Sequence, residues 1–264
     1  MTDARGDQGG GGGEADRDRL VAALREAVRA RDEFVAIAAH ELRNPMTPIL
    51  LQVGALLAAA RSPRQCRPEV LVPRLEALEL AVQEFVRRAT TLLDVSRVAA
   101  GNVRIERAAV DLSGVVRGVV ERAGIAARKA RSRLEADLQE GVVGSVDRLA
   151  LEQVAENLVS NAIKFGAGRP VRVALRADGR TARLIVRDQG VGISEEDRAR
   201  VFQRFERAVA RREHGGFGVG LWLANQLVVA MGGAIGVESE PGAGTTFTVS
   251  LPLNGAEQPE ARGA

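Results

Sequence analysis

Four groups of residues have types and spacings that can do chemistry. His40-Glu41-Leu42-Arg43-Asn44-Pro45 sets an imidazole beside a carboxylate. Asn157 and Asn161 are one helical turn apart, with Lys164 close behind. Asp188-Gln189-Gly190-Val191-Gly192 and Gly215-Gly216-Phe217-Gly218-Val219-Gly220 complete the set. An imidazole nitrogen is nucleophilic at neutral pH without a strong base, which suits it to accept a phosphoryl group. Glu41 is placed to hold the proton on the other ring nitrogen. An asparagine carbonyl is a neutral oxygen ligand suited to Mg2+, which keeps most of its waters. A buried carboxylate at a strand end, here Asp188, can accept from an adenine amino group, with Gly190 and Gly192 letting backbone approach the ring. Glycines that open a helix present free amides to phosphate oxygens. Each group alone has a plainer reading: an exposed helix histidine, surface amides, a tight turn, a loose loop. Together they describe a phosphate acceptor and a nucleotide pocket that feeds it.

The acceptor needs a helix. From Leu20 the apolar positions Leu20, Leu24, Ala27, Phe34 and Ala38 alternate three and four apart, with Arg31 interrupting once,. This helix should run through His40 to about Ala60, bent by Pro45 and Pro48. At 100° per residue, Ala38, Leu42, Ile49 and Leu56 share one side and His40 lies roughly opposite, flanked by Asn44 and Thr47. After a turn from Arg61 to Pro68, a second helix carries the heptad Leu71, Leu75, Leu78, Val82, Phe85, Ala89, Leu92, Ser96 and Ala99. Two such helices make an antiparallel hairpin with too little partner surface to bury both seams. A dimeric four-helix bundle satisfies them, so a homodimer is expected.

Beyond Gly101-Asn102 the period changes. Val103 to Ala108 and Val110 to Leu112 read as strands, and Ser113 to Arg131 as a helix capped by its serine. Strands follow at Leu134 to Leu138 and Val142 to Val146. A helix capped by Asp147 then reaches Phe165, burying Leu151, Val154, Leu158, Ala162 and Phe165. Clean alternation marks strands at Val171 to Arg176 and Ala182 to Arg187. A helix from Leu221 to Met231 precedes strands at Ala234 to Glu240 and Thr245 to Leu251. The fold class is therefore α+β: a helical hairpin, then an α/β sandwich whose mixed sheet is covered by helices on one face. The expected divisions are a disordered tether over 1–18, the hairpin over 19–100, the sandwich over 101–253 and a loose tail over 254–264.

Composition narrows the setting. Formal charge is +3 from 37 basic and 34 acidic residues, too small an excess to indicate a nucleic-acid partner,. Cys66 is the only cysteine, so no intrachain disulfide forms and a reducing cytoplasm fits,. No run of about 18 apolar residues offers a membrane span, and Met1-Thr2-Asp3-Ala4-Arg5 does not open a secretory signal. Direct membrane insertion is not expected.

In this order and spacing, residues 20 to 253 resemble the dimerising and catalytic core of a bacterial sensor histidine kinase. The resemblance implies an ATP-dependent histidine autokinase. It would phosphorylate His40 and pass the group to an aspartate on a response regulator receiver domain, with possible reversal as a phosphatase. It implies ATP and Mg2+ as cofactors, Asn161 on the metal, and Asn157 and Lys164 on phosphate. Phe165 would pack near the base, and Asn44 would position water for hydrolysis. Phe202 and Phe205 match the family's phenylalanine box. Gly216, Gly218, Gly220 and Leu221 form the phosphate loop, and Arg207 to His214 a lid. The chain departs from the pattern in four places. Asn44 stands where threonine is frequent and Phe165 replaces a frequent tyrosine. Gly166-Ala167-Gly168 replaces a polar-proline turn, and Glu206 stands where an aromatic is common. Two alternatives remain: a catalytically silent ATP-binding scaffold, and an ATPase or serine kinase sharing the pocket. Asn157 stands where the ATPases carry a carboxylate base.

Overall fold

The three-and-four apolar spacing continues through two long helices, α1 (Gly11–Ala60) and α2 (Pro68–Ala99). The structure, a computed structural model, describes residues 11–61, 67–99, 104–166, 168–204 and 218–253. α1 begins inside the stretch expected to be a tether. Extending an existing helix avoids the nucleation cost, and each glycine then costs only about 1 kcal/mol relative to alanine. Pro45 and Pro48 lie within α1, which runs as one helix through both. The chain forms two compact units, Met1–Leu92 and Leu93–Ala264.

In the first unit, the Arg74 guanidinium donates to the Ala55 carbonyl at 3.0 Å, tying α2 to α1 as a hairpin. The heptad splits into two rows. Leu71, Leu78 and Phe85 are half-buried and Leu92 is buried, whereas Leu75 and Val82 stay 52% and 41% exposed. α1 has the same asymmetry, with Ile49 and Leu56 half-buried and Leu50, Leu51 and Leu57 exposed.

Among the described residues the second unit has two sheets. β1 (Ala108–Asp111) pairs antiparallel with β3 (Val143–Val146). The larger sheet has five strands in the order β2-β4-β5-β7-β6. These are β2 (Leu134–Leu138), β4 (Val171–Asp178), β5 (Thr181–Arg187), β6 (Ala234–Glu240) and β7 (Gly244–Pro252). Only β2 and β4 are parallel. Three longer helices accompany them: α3 (Leu112–Lys129), α4 (Arg148–Phe165) and α6 (Gly220–Ala230). The short α5 (Glu195–Arg198), capped by Ser194, was not anticipated.

Period-two alternation fixes the sheet's two faces. Val173, Val186, Phe247 and Val237 form one inward row, and Leu175, Leu184, Val249 and Ile235 the next. On the open face Arg172 lies opposite Arg187, and Arg176 opposite Arg183. Like charges in that relation repel. Carboxylates offset them: Glu135 pairs with Arg172 at 2.9 Å, Asp178 with Arg183 at 3.3 Å, and Asp137 with Arg176. The edge strands β2 and β6 carry acids, Glu135 and Asp137 on one and Glu238 and Glu240 on the other.

Two expectations at the unit's start are corrected. Residues 104–107 belong to no strand, so one short β1 stands where two strands were expected. Ser113 does not cap α3; Asp111 holds the cap position, without a side-chain bond. The Ser113 hydroxyl is buried, donates to Gln139 O at 2.7 Å and accepts from Val142 N–H at 3.2 Å. A serine at a helix start can serve tertiary structure as readily as the cap.

Asp147 does cap α4. Its Oδ1 accepts from Leu149 and Ala150 N–H at 2.9 and 3.1 Å, and its Oδ2 accepts from Glu106 N–H at 2.9 Å. One carboxylate holds both the helix start and the segment entering the domain. Asp147→Ala should destabilise the domain by about 1–2 kcal/mol, the upper range for a lost cap. Chemical denaturation should show a lower midpoint at unchanged slope.

Candidate functional site

His40 is exposed on α1, as are Asn44 and Thr47, while Ala38, Leu42, Ile49 and Leu56 are half-buried. Helical geometry thus turns the imidazole away from the packed side. The Glu41 side chain lies outside the described residues.

Asn157 and Asn161 project from α4, both half-buried, beside the buried stripe of Leu151, Val154, Leu158 and Ala162. Phe165, expected in that stripe, is half-buried at its end, with the exposed Lys164 placing Nζ 4.9 Å above its ring. α6 begins against these amides. A Cβ on Gly220 would lie 3.0 Å from Asn157 Oδ1, so this approach favours glycine. Gly218 has a φ of 64°, in the left-handed region,. Leu221 is buried just beyond. The first turn of α6 is therefore built onto the helix bearing the asparagines. Phe205, Gly216 and the expected lid from Arg207 to His214 lie outside the described residues. At the last described residue before them, the Arg204 guanidinium stacks 4.4 Å from the Trp222 ring of α6,.

Asp188 is buried at the end of β5. Its Oδ1 accepts from Gly190 N–H at 2.8 Å. Its backbone exchanges two bonds with Thr245, at 2.9 and 3.3 Å, extending the β5–β7 ladder by one pair. Thr245 in turn lies opposite Ser239 on β6. Asp188, Thr245 and Ser239 thus form one polar row on the inner face, directly after the rows of valine and leucine. The glycines of this loop answer to protein backbone. A Cβ on Gly190 would fall 1.8 Å from Phe165 O, and one on Gly192 would fall 2.0 Å from Glu240 O. Gly244 meets Asp188 O in the same way, at 2.2 Å. The Asp188 loop is seated between the C-terminus of α4 and the β6–β7 hairpin. Arg169 also donates to Gln189 O at 2.7 Å.

The second unit therefore brings Asn157, Gly220, Phe165, Gly190 and Asp188 onto adjoining elements. The sequence reading did not place Thr245, Ser239 or Arg169 beside Asp188. The first two come into one row with it through the register of the β6–β7 hairpin.

The fold and cradle define the class. Residues 146–255 match the family described as histidine kinase-, DNA gyrase B-, and HSP90-like ATPase, an ATP-binding domain. Residues 30–101 match the His Kinase A (phospho-acceptor) domain. With both in this order, the chain belongs to the two-component sensor histidine kinases. The chain is similar to the signal transduction histidine-protein kinase BarA of Escherichia coli, 33% identical over 87% of this chain and 26% of BarA. The solved mycobacterial sensor histidine kinase MprB is 30% identical over 56% of this chain and 100% of that one, with a TM-score of 0.51. Histidine kinase AdeS of Acinetobacter baumannii shares the fold, with a TM-score of 0.60 over 81% of this chain and 98% of that one at 24% identity. The chain spans between 20% and 41% of the length of curated relatives such as EvgS of E. coli and MtrB of Mycolicibacterium paratuberculosis.

Gly190→Ala should force the loop from Phe165 O and cost about 1–3 kcal/mol of stability, as overpacking does. ADP affinity measured by calorimetry should fall at least tenfold. Affinity unchanged alongside a lowered melting temperature would separate the loop's seating from nucleotide binding.

Proposed function

We propose that this chain is an ATP-dependent histidine autokinase acting in a phosphorelay. The observation that carries this reading is the exposed His40 on a phospho-acceptor helix, in a chain that also holds an ATP-binding cradle. His40 would attack the terminal phosphorus through a ring nitrogen. The nitrogen–phosphorus bond forms as the bond to the bridging oxygen breaks, and ADP leaves. Glu41 would hold the proton on the second ring nitrogen and stabilise the developing imidazolium, while Asn44 would orient water for hydrolysis. Catalysis of this kind is mostly positioning and charge neutralisation.

In the cradle, Asp188 would accept from the adenine amino group, with Phe165 and Phe205 beside the base and Gly190 and Gly192 shaping the loop. Asn157, Lys164, Gly216, Gly218, Gly220 and Leu221 would surround the phosphates. Asn161 would hold Mg2+. Among the described residues no cluster of three His, Cys, Asp or Glu offers an ion a full cage. A neutral amide beside nucleotide phosphates suits an ion that retains its waters. Bound there, Mg2+ supplies charge neutralisation at the phosphate oxygens.

The phosphoryl group would pass to an aspartate of a response regulator receiver domain. The functional division we favour is 19–100 for dimerisation and phosphotransfer and 101–253 for nucleotide binding. No helix among the described residues is long and apolar enough to cross a membrane, and we place this activity in the cytoplasm. The silent-scaffold alternative is disfavoured because His40, Asn161 and Asp188 are all retained.

With γ-labelled ATP the protein should take up label that is acid-labile and alkali-stable. His40→Gln should abolish uptake while leaving ADP affinity intact, and label retained on that variant would place the acceptor elsewhere. Asn161→Ala should slow transfer by about a hundredfold, the scale of losing one positioned electrostatic group. For the dimer, the support is the open row of Leu75 and Val82 beside its half-buried counterpart. Light scattering should give twice the 28.0 kDa chain mass, and Leu75→Glu with Val82→Glu should return it to one.

A further inference from the structure

The polar row at the end of the sheet has a fixed proton order. Ser239 Oγ lies 2.7 Å from Gly244 O, and a carbonyl oxygen only accepts, so the one serine proton goes there,. The same oxygen accepts from Ile193 N–H at 2.9 Å. Thr245 Oγ1, 3.0 Å away, must then be the donor to Ser239. With its proton committed to Ser239, the buried Thr245 hydroxyl offers lone pairs only to anything else it meets. Directly opposite on β5 stands Asp188, whose carboxylate is likewise an acceptor.

We infer that Ser239 sets the base selectivity of the pocket by drawing away the Thr245 proton, leaving the row acceptor-only. This rests on the reading of Asp188 as the group that holds the base. Facing position 6 of a purine, an acceptor-only row suits an amino group, whereas a 6-oxo group is itself an acceptor and finds no donor there. Without the serine hydroxyl, the Thr245 proton can turn toward a 6-oxo group, which lowers the preference for the amino base. Ser239 touches neither phosphate nor ring in this scheme and is a positioning residue.

The test compares ADP and inosine diphosphate by calorimetry on the full chain. Ser239→Ala should narrow the ratio of the two affinities about five- to tenfold, the worth of roughly one hydrogen bond. Ser239→Thr should restore the ratio, since its hydroxyl can accept and donate as serine does. Should the alanine variant not fold, Ser239→Cys fills the place with a weak donor and acceptor, and should narrow the ratio as well. Equal losses for both nucleotides, with the ratio unchanged, would overturn the inference and leave Ser239 as a brace for the hairpin. Asp188→Asn separates the premise: unchanged ADP affinity there would remove the reading of Asp188, and the inference with it.

Discussion

Backbone meets backbone without side chains at three places around Asp188, and the candidate nucleotide cradle depends on that contact. The C-terminal carbonyl of α4, the turn at Glu240 and the Asp188 carbonyl each occupy space that a methyl group would need. Gly190, Gly192 and Gly244 are the residues that make the approaches possible. The loop thereby gains fixed positions on both sides, and the carboxylate at its head gains a direction. A flexible loop could present a carboxylate too, but it would lose conformational entropy at each binding event. Here that ordering has already occurred on folding.

Much of this order could be read from residue types. Asp147 looked like a cap and is one, because a β-region aspartate before an apolar periodic stretch has few other uses,. The alternating strands from 171 to 187 kept their faces because one face is buried, and a register slip would expose every valine. Ser113 misled because its local pattern is that of a cap, whereas its partners, Gln139 and Val142, come from a distant loop. Gly11 to Gly13 misled for a related reason: glycine's reluctance in helices is modest beside the gain of extending one already formed,. The Ser239–Thr245–Asp188 row was invisible for lack of a linear signature. It exists only once three strands, two of them joined by a hairpin, lie in one register. His40, the asparagines and Asp188 stood out in the sequence because their chemistry is unusual for the positions they hold, and the structure shows where each one lies. Phe205 and Gly216 belong to the same reading but lie outside the described residues.

The helical hairpin and the sheet deal with exposed surface differently. Along α2, Leu71, Leu78 and Phe85 are half-buried while Leu75 and Val82 are exposed, so the helix keeps apolar side chains at its surface,. The uncovered face of the sheet is instead polar. Its arginines would repel across strands β4 and β5 if Glu135, Asp137 and Asp178 did not interleave with them. Such pairs are individually worth little in water, and their main effect is to make a bare sheet face compatible with solvent.

The acids on the outermost strands have a consequence for crowding. An open sheet presents unpaired amides and carbonyls at both margins, ready to template another copy. If the helical hairpins draw two chains together, those margins meet at a local concentration far above that of the bulk solution. Glu238 and Glu240 along β6 make such encounters electrostatically unwelcome at that margin, whereas the carboxylates of β2 are held by Arg172 and Arg176. A margin such as that of β6 discourages growth of the sheet beyond five strands,.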